Sequence, residues 1–235
     1  MTTKRAVSGD QYFYLSMSLL ITAIVIYGFS HTVNSNLLHP DMPRPWILWV
    51  HGSLFFGWLF FFVLQSTLVR THNVRIHRTL GWFGVAWASA MVVVGISTGI
   101  TMTRYNILHH RFDDSLQFLA IPLSDMVIFG AIFALAIYFR TKPEYHRRIM
   151  LISCCLLTDA AFGRFPIHAF ADHWFYAGVD LLLVIAILRD LIVTRTVHPV
   201  YRYALPVLIV AQSITLYAYL AAPPGWVNIA NAILR

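Results

Sequence analysis

The chain has 235 residues, of which 58% are hydrophobic and 11% are charged. A typical soluble domain has roughly 45–50% apolar and about 25% charged residues, so this composition excludes a soluble fold of this size. The formal net charge is +7, but the basic residues lie between apolar runs and therefore indicate membrane topology rather than nucleic-acid binding. We expect one transmembrane domain over residues 1–235, with the lipid bilayer as its partner and no nucleic acid.

Seven apolar runs are long enough to be predicted membrane spans. A hydrocarbon core of about 30 Å requires about 20 apolar residues per helix. The predicted fold class is therefore all-α, an integral membrane bundle of seven transmembrane helices. The predicted spans cover residues 11–31, 46–69, 79–103, 117–139, 147–170, 174–194 and 203–221.

The Lys and Arg residues are divided unevenly between the two predicted sides of the membrane, twelve against four. Because cytoplasmic loops carry the excess of Lys and Arg, the larger set predicts a cytoplasmic N-terminus and a periplasmic or extracellular C-terminus. The larger set is Lys4, Arg5, Arg70, Arg75, Arg78, Arg140, Lys142, Arg147, Arg148, Arg189, Arg195 and Arg202. The smaller set is Arg44, Arg104, Arg111 and Arg235.

Three basic connections share a weak internal repeat. The second, fourth and sixth predicted spans run toward the cytoplasm, and each ends in a connection that brings a histidine to the start of the next span. These histidines are His77, His146 and His198. The pattern predicts three helical hairpins with an N-terminal helix added to them. The alternative is that basic loops contain histidine by chance, since the chain has 11 histidines.

Five ionisable side chains stand out inside the predicted spans, namely His51, Asp125, Asp159, Arg164 and Asp180. Such groups are costly in a membrane and usually face a partner or a water-filled cavity. One interpretation is structural, in which Arg164 neutralises one or two aspartates and fixes the helix packing. The other is a polar chamber in the outer half of the membrane that binds a cation, a metal or a polar substrate.

Carboxylates and imidazole together suit a divalent transition metal, which the outer chamber could hold. The candidate ligands are His51, Asp125, Asp180 and His168. The other members of the predicted polar core are Asp159, Arg164 and Gln65. A lone amide in lipid is costly, so Gln65 could bond across helices, although packing is its expected role.

Histidines form the second candidate site, because neutral imidazole can bind zinc, copper or iron. Histidines on two helices at one level can also hold haem as axial ligands. The candidate cofactor ligands are His77, His146, His198 and His51. A histidine followed by arginine at a helix start can equally be a residue that faces lipid headgroups, and both interpretations stay open here.

The strings HGSLFFGWLFFFVLQ, HRTLGWFG and KPEYHRRIMLISCCLL, with DAAFGRFP and VHP, resemble a group of uncharacterised bacterial membrane proteins of about this length. The resemblance covers most of the second to seventh predicted spans and implies a location in the bacterial cytoplasmic (inner) membrane. It implies no activity. The matching positions are His51, Gln65, His77, Arg78, Asp125, His146, Arg148, Arg164 and His198.

A more distant similarity, in histidine-bearing helices joined by basic turns, is to membrane b-type cytochromes and haem-processing proteins. The layered histidines and the charged residues inside the predicted spans lead to three expected functions, in this order. The first is a redox protein that binds haem b or a transition metal through histidine and exchanges electrons with quinone. The second is a transporter or binding protein for a small polar ligand in the outer chamber. The third is an intramembrane hydrolase with a metal-activated water.

Overall fold

The computed structural model describes residues 12–168 and 173–235, and every regular element within them is helical. Three parts of the sequence predictions lie outside the described residues: Lys4 and Arg5, residue 11 of the first predicted span, and residues 169–170 of the fifth. Helices suit lipid because each one satisfies its backbone hydrogen bonds internally. The all-α prediction is confirmed for the described residues.

Ten α-helices and the π-helical turn Asn34–Leu38 follow one another in the described ranges. The α-helices are α1 (Phe13–Ser30), α2 (Ile47–Arg70), α3 (Val74–Leu108), α4 (Ser115–Phe118), α5 (Ala120–Tyr138), α6 (Pro143–Leu156), α7 (Asp159–Phe162), α8 (Phe175–Thr194), α9 (Pro199–Ala221) and α10 (Pro224–Leu234).

Five helical segments among the described residues are long and apolar enough to cross a membrane. They are α1, α2, α3, the combined segment Ser115–Tyr138, and α9. Helix α6 has 14 residues and is about 21 Å long, which is shorter than a hydrocarbon core of about 30 Å. Helix α8 has 20 residues but carries Asp180, Arg189 and Asp190. The chain therefore has the helices of a membrane protein, and the count of seven spans stays a prediction.

The predicted span over 147–170 is divided in the structure, because α6 ends at Leu156 and α7 covers only Asp159–Phe162. At the break, the Thr158 hydroxyl donates to the carbonyl of Cys155 at 2.6 Å. Side-chain bonds of this kind compete with helical hydrogen bonding and bend helices. Pro166 follows shortly after, and it lacks the backbone N–H that a continuing helix would need.

Consecutive helices pack against each other on both sides of each basic turn, α2 with α3, α5 with α6, and α8 with α9. Helix α1 lies against α2, α6 and α7. Aromatic rings fill the space between α2 and α5, where Trp58 packs edge-to-face against Phe129 and Phe133. The three hairpins thus share one core, and their basic turns lie at the same end of the bundle as the start of α1. We call this end the basic end.

Helix α10 lies at the opposite end and was not among the predicted elements. It has 11 residues, too few for a span, and Asn228 and Asn231 interrupt its apolar residues. Its start follows the expected rule, since Pro224 occupies the first helical position. The Arg104 guanidinium donates to the carbonyls of Leu234 at 3.1 Å and Ile233 at 3.4 Å, so α3 holds the C-terminal end of α10.

Gly28 allows α1 to approach α7 more closely than any other residue would. A Cβ atom at Gly28 would overlap the backbone carbonyl of Ala161. Backbone atoms cannot move aside as the end of a flexible side chain can, so the close approach requires glycine at this position.

We expect Gly28→Ala to lower the free energy of unfolding by about 1–3 kcal/mol, because the added methyl group overpacks the α1–α7 contact. The matched control is Gly52→Ala on α2, where a Cβ atom would meet no heavy atom within 4 Å. Alanine is the better helix former, so the control should be neutral or slightly stabilising. Unfolding in detergent micelles measures both, and equal stability of the two variants would contradict the close packing of α1.

Candidate functional site

The basic end of the bundle collects arginines from α2, α6 and α8 around the first turn of α1. The Arg70 guanidinium lies 4.1 Å from the ring centre of Tyr12. The Arg147 and Arg189 guanidinium groups lie 5.1 Å and 5.6 Å from the ring centre of Tyr14. Cation–π contacts of this type hold charged groups beside aromatic rings where a membrane meets water.

His77 lies in the first turn of α3 and is oriented by a residue of α2. Its Nδ1 is 2.8 Å from Oε1 of Gln65, whose side chain is buried. An amide oxygen only accepts hydrogen bonds, so Nδ1 carries the proton and donates it. Gln65 therefore does bond across helices, and its partner is a histidine that the sequence singled out for a different reason.

His146 lies in the first turn of α6 and is oriented in the same manner. Its Nδ1 donates to the backbone carbonyl of Ala136 at 2.8 Å. That carbonyl belongs to the last turn of α5, where carbonyl groups lack partners within the helix. Both imidazoles are thus in the tautomer whose Nε2 carries a free lone pair. Neither Nε2 has a hydrogen-bond partner within residues 12–168 and 173–235.

The two imidazoles face one cavity, and their ring centres are 6.3 Å apart. The cavity has a volume of about 860 Å³ and lies between α1, α2, α3, α5 and α6. Its inner wall is aromatic and includes Trp58, Phe61 and Phe133, and its rim contains arginines of the basic end. Two histidines with matched tautomers, an apolar wall and a cationic rim form the candidate site.

His198, the third histidine of the repeat, has a different position and role. It is the N-cap residue of α9, and its Nδ1 accepts a hydrogen bond from the Val200 backbone N–H at 3.2 Å. Partial burial, and then the positive charge of Arg148, lower the pKa of His198 below its ordinary value. The neutral ring is the form that can accept this bond, so a capping role accounts for His198.

A buried ion pair beside the cavity was not predicted. Arg148 is 1% exposed and Asp190 is 0% exposed. Their side chains form two parallel hydrogen bonds, from Nε at 3.0 Å and from a terminal nitrogen at 2.8 Å. The Arg189 guanidinium also donates to Asp190 at 2.8 Å, and the His198 backbone N–H donates to it at 3.3 Å. Such two-point pairs fix the relative orientation of the helices that carry them.

A sequence signal for this pair existed. Asp190 is an acidic residue inside the predicted span 174–194, as Asp180 is, and such a residue requires a partner inside a membrane. Arg148 belongs to the larger, cytoplasmic set of basic residues. Their pairing across α6 and α8 depends on helix rotation, which hydropathy does not report.

At the opposite end, the structure brings two of the predicted polar residues together. The carboxyl groups of Asp125 on α5 and Asp159 on α7 contact each other. The Tyr176 hydroxyl of α8 donates to Asp125 at 2.8 Å. Two carboxyl groups can form a hydrogen bond only when they share a proton. Tyr176 was not singled out from the sequence, since a tyrosine near the end of a span resembles an interfacial anchor.

Arg164 interacts electrostatically with Asp159 and His51, but its direct contacts are with the end of α1, the residues that follow α1, and its own segment. It donates to the Thr32 hydroxyl at 3.2 Å and to the Ala160 carbonyl, and it lies 4.4 Å from the ring centre of Phe29. The His51 ring stacks on Phe55 at 4.1 Å. Its Nδ1 is buried and has no hydrogen-bond partner in the described ranges.

The four residues predicted as ligands of an outer metal are not gathered around one point. Asp180 accepts a hydrogen bond from the Gln212 amide of α9 at 3.3 Å, whereas Asp125 is bonded to Tyr176. His168 is exposed at the edge of the described residues. Among the residues that the structure describes, no three His, Cys, Asp or Glu side chains form a group that could hold a metal ion.

No protein-family model matches the chain, and no curated protein sequence or solved structure matches it significantly. The resemblance to a group of bacterial membrane proteins therefore stays an expectation. Function has to be argued from the geometry of the two polar sites.

We expect Asp190→Asn to lower the free energy of unfolding by about 3–5 kcal/mol, because it removes the only buried carboxylate that Arg148 contacts among the described residues. The control is Glu144→Gln, which removes the other carboxylate that Arg148 contacts, at 2.7 Å. The Glu144 side chain is 57% exposed, so its loss should cost no more than about 1 kcal/mol. Denaturation in micelles measures the free energy of unfolding of both variants. Equal losses of this free energy would contradict a larger stabilising role for the buried carboxylate of Asp190.

Proposed function

We propose that this protein is a membrane redox protein that binds haem b or a transition-metal ion through His77 and His146. One observation carries the proposal. Both rings donate Nδ1–H to fixed oxygen atoms at the wall of one cavity, which leaves both Nε2 lone pairs available. Metal-binding histidines are typically held in this way, with the second ring nitrogen bonded to a carbonyl or carboxylate oxygen.

The dimensions of the cavity suit such a group. The ring centres of His77 and His146 are 6.3 Å apart, so the two Nε2 atoms would hold one metal ion or the iron of haem at the usual metal–nitrogen distance of about 2.0–2.1 Å. The volume of about 860 Å³ lies in the usual range of cofactor sites, about 300–1,000 Å³. When bound, haem or a redox-active metal supplies a one-electron couple, and the residues of the cavity hold it, orient it and exclude water.

The surroundings proposed for this site are the bacterial cytoplasmic membrane, with quinone as the electron partner. We place the basic end and the N-terminus in the cytoplasm because Lys and Arg concentrate on that side. We also propose seven crossings, in which α6 with α7 forms the fifth and α8 the sixth. On α8, Asp190 pairs with Arg148, and Asp180 accepts a hydrogen bond from Gln212. Acidic residues with partners inside the bundle support a membrane position for that helix.

The first test is the absorbance spectrum and metal content of the protein purified in mild detergent from a haem-replete host. We expect a Soret band, or a stoichiometric transition metal, that is lost in His77→Ala and in His146→Ala. Gln65→Leu removes only the oxygen that orients His77, so it should weaken retention of the group about 10–100-fold without abolishing it.

His39→Ala is the matched control, because His39 is an exposed histidine whose ring bonds to Asn34 at 2.9 Å, away from the cavity. It should retain the spectrum of the unmodified protein. A colourless and metal-free protein would sink the proposal, as would a Soret band that survives both His77→Ala and His146→Ala.

A second candidate function is proton-coupled transport through the polar site at the opposite end. The break between α6 and α7 favours it, because transporters place ion and substrate sites at discontinuous helices inside the membrane. Asp159 is the first residue of α7, beside that break, and its carboxyl group contacts that of Asp125. We propose that the two carboxyl groups share one proton beside the Tyr176 hydroxyl, which donates to Asp125, and that this proton is the one transported.

Proton flux into proteoliposomes, followed with entrapped pyranine under a valinomycin-set K⁺ potential, tests this second function. We expect Asp125→Asn to abolish flux above the level of empty liposomes, since an amide cannot share and release the proton. Asp113→Asn, an exposed acid of the loop at the same end, serves as the control and should leave flux unchanged. Identical flux in Asp125→Asn and the unmodified protein would rule the function out.

A further inference from the structure

The rim of the cavity carries an excess of positive charge. Arg70, Arg78, Arg140 and Arg147 line the cavity, and no Asp or Glu does. Within the described residues, only Arg147 of these four forms an ion pair, with Glu144 at 2.6 Å. Three further guanidinium groups at one edge of a cavity favour an occupant with negative charge at that edge.

Hydrogen-bond donors at the same rim lack acceptors. The Tyr14 hydroxyl and the Nε atoms of Arg70 and Arg147 are buried and have no hydrogen-bond partner in the part of the chain that the structure describes. All three residues line the cavity. A buried donor without an acceptor costs free energy, and an arginine nitrogen can only donate. Tyr14, Arg70 and Arg147 thus line the cavity with hydrogen-bonding capacity that the described residues leave unused.

The chain order places this rim next to the histidines. Arg78 follows His77 on α3, and Arg147 follows His146 on α6. Consecutive residues project about 100° apart around a helix, so each helix presents an imidazole and a guanidinium to the same cavity in neighbouring directions. The aromatic side chains Trp58, Phe61 and Phe133 line the other side.

We infer that the occupant of the cavity is an anionic amphiphile, whose apolar body lies against the aromatic wall and whose acidic groups are bound by Arg70, Arg78 and Arg140. The inference rests on the proposed function for the identity of the apolar body. That body would be the ring of haem, whose two carboxylates would lie at the rim. It excludes a neutral quinone as the resident of this cavity. The same acidic chemistry could come from the phosphate of a lipid headgroup.

The test uses full-length protein in nanodiscs of neutral phosphatidylcholine, titrated with haemin and with haemin dimethyl ester and followed by the Soret absorbance. The ester keeps the ring and the iron but has no carboxylates. We expect it to bind at least about tenfold more weakly than haemin, since charge-assisted hydrogen bonds to the rim are lost. The variant Arg70→Gln/Arg78→Gln/Arg140→Gln, which removes all three proposed contacts, should bind both compounds with equal affinity. The control Arg75→Gln, an exposed position on α3 outside the cavity, should keep the full preference for haemin.

A second arm separates this inference from the haem proposal. The fluorescent fatty acid cis-parinaric acid and its methyl ester contain neither ring nor metal, and we expect the acid to bind at least about tenfold more tightly than the ester. If haemin fails to bind and this preference remains, the inference stands and the haem proposal fails. Equal binding of haemin and its dimethyl ester overturns the inference and leaves the haem proposal intact. Equal binding of acid and ester in both arms overturns it as well.

Phosphatidylglycerol in the nanodisc identifies the source of the acidic group. If the affinity for haemin is unchanged, the arginines of the rim bind the carboxylates of haemin, which supports the inference with haem as the occupant. Displacement of haemin by phosphatidylglycerol would support an anionic amphiphile that is a lipid, and would count against haem as the resident.

Discussion

The arrangement at the basic end depends on the ion pair between Arg148 and Asp190. Two parallel hydrogen bonds leave α6 little freedom to rotate about its axis relative to α8. His146 lies two residues before Arg148, and two residues turn an α-helix by about 200°. Arg148 directed at α8 therefore places His146 on the opposite face of α6, toward α3 and α5, where its ring meets His77. The pair is buried, so loss of either partner would leave an uncompensated charge inside the bundle, at a high cost in free energy. The pair therefore favours one rotation of α6 over others.

The three histidines of the repeat show that equivalent sequence positions can carry different chemistry. A single observable, the atom to which each ring nitrogen is bonded, separates them. His77 and His146 donate from Nδ1 to oxygen atoms, whereas His198 accepts at Nδ1 from a backbone N–H. A ring that accepts at Nδ1 has its proton on Nε2 and offers no lone pair there, so His198 does not match the other two. The polar residues at the opposite end form a separate network, organised around a pair of carboxyl groups rather than around imidazole.

Hydropathy predicted the helical class, the positions of the long helices and the common end of the histidine-bearing turns, because lipid imposes length and apolar composition on each helix. Hydropathy did not predict the features that depend on the rotation of a helix about its axis or on local side-chain hydrogen bonds. The break after Leu156 arises from the Thr158 hydroxyl, and the partner of Asp190 arises from the facing of α6 and α8. The cavity could not be predicted, because it is the volume that five helices leave unfilled. The sequence pattern did not separate His77 and His146 from His198 and His51, because the bonding of each ring nitrogen depends on neighbouring helices.

The length of α3 has a consequence for how electrons or ligands would reach the cavity. Its 35 residues extend over about 52 Å, well beyond a hydrocarbon core of about 30 Å. Its central residue, Met91, is fully buried, and His77 lies fourteen residues away, about 21 Å along the helix axis. A helix centred in the bilayer with a tilt of about 20° therefore carries His77 to the level of the lipid headgroups rather than into the acyl chains. A water-soluble donor on that side of the membrane would meet the imidazole edge of the cavity at the surface, without having to enter the lipid.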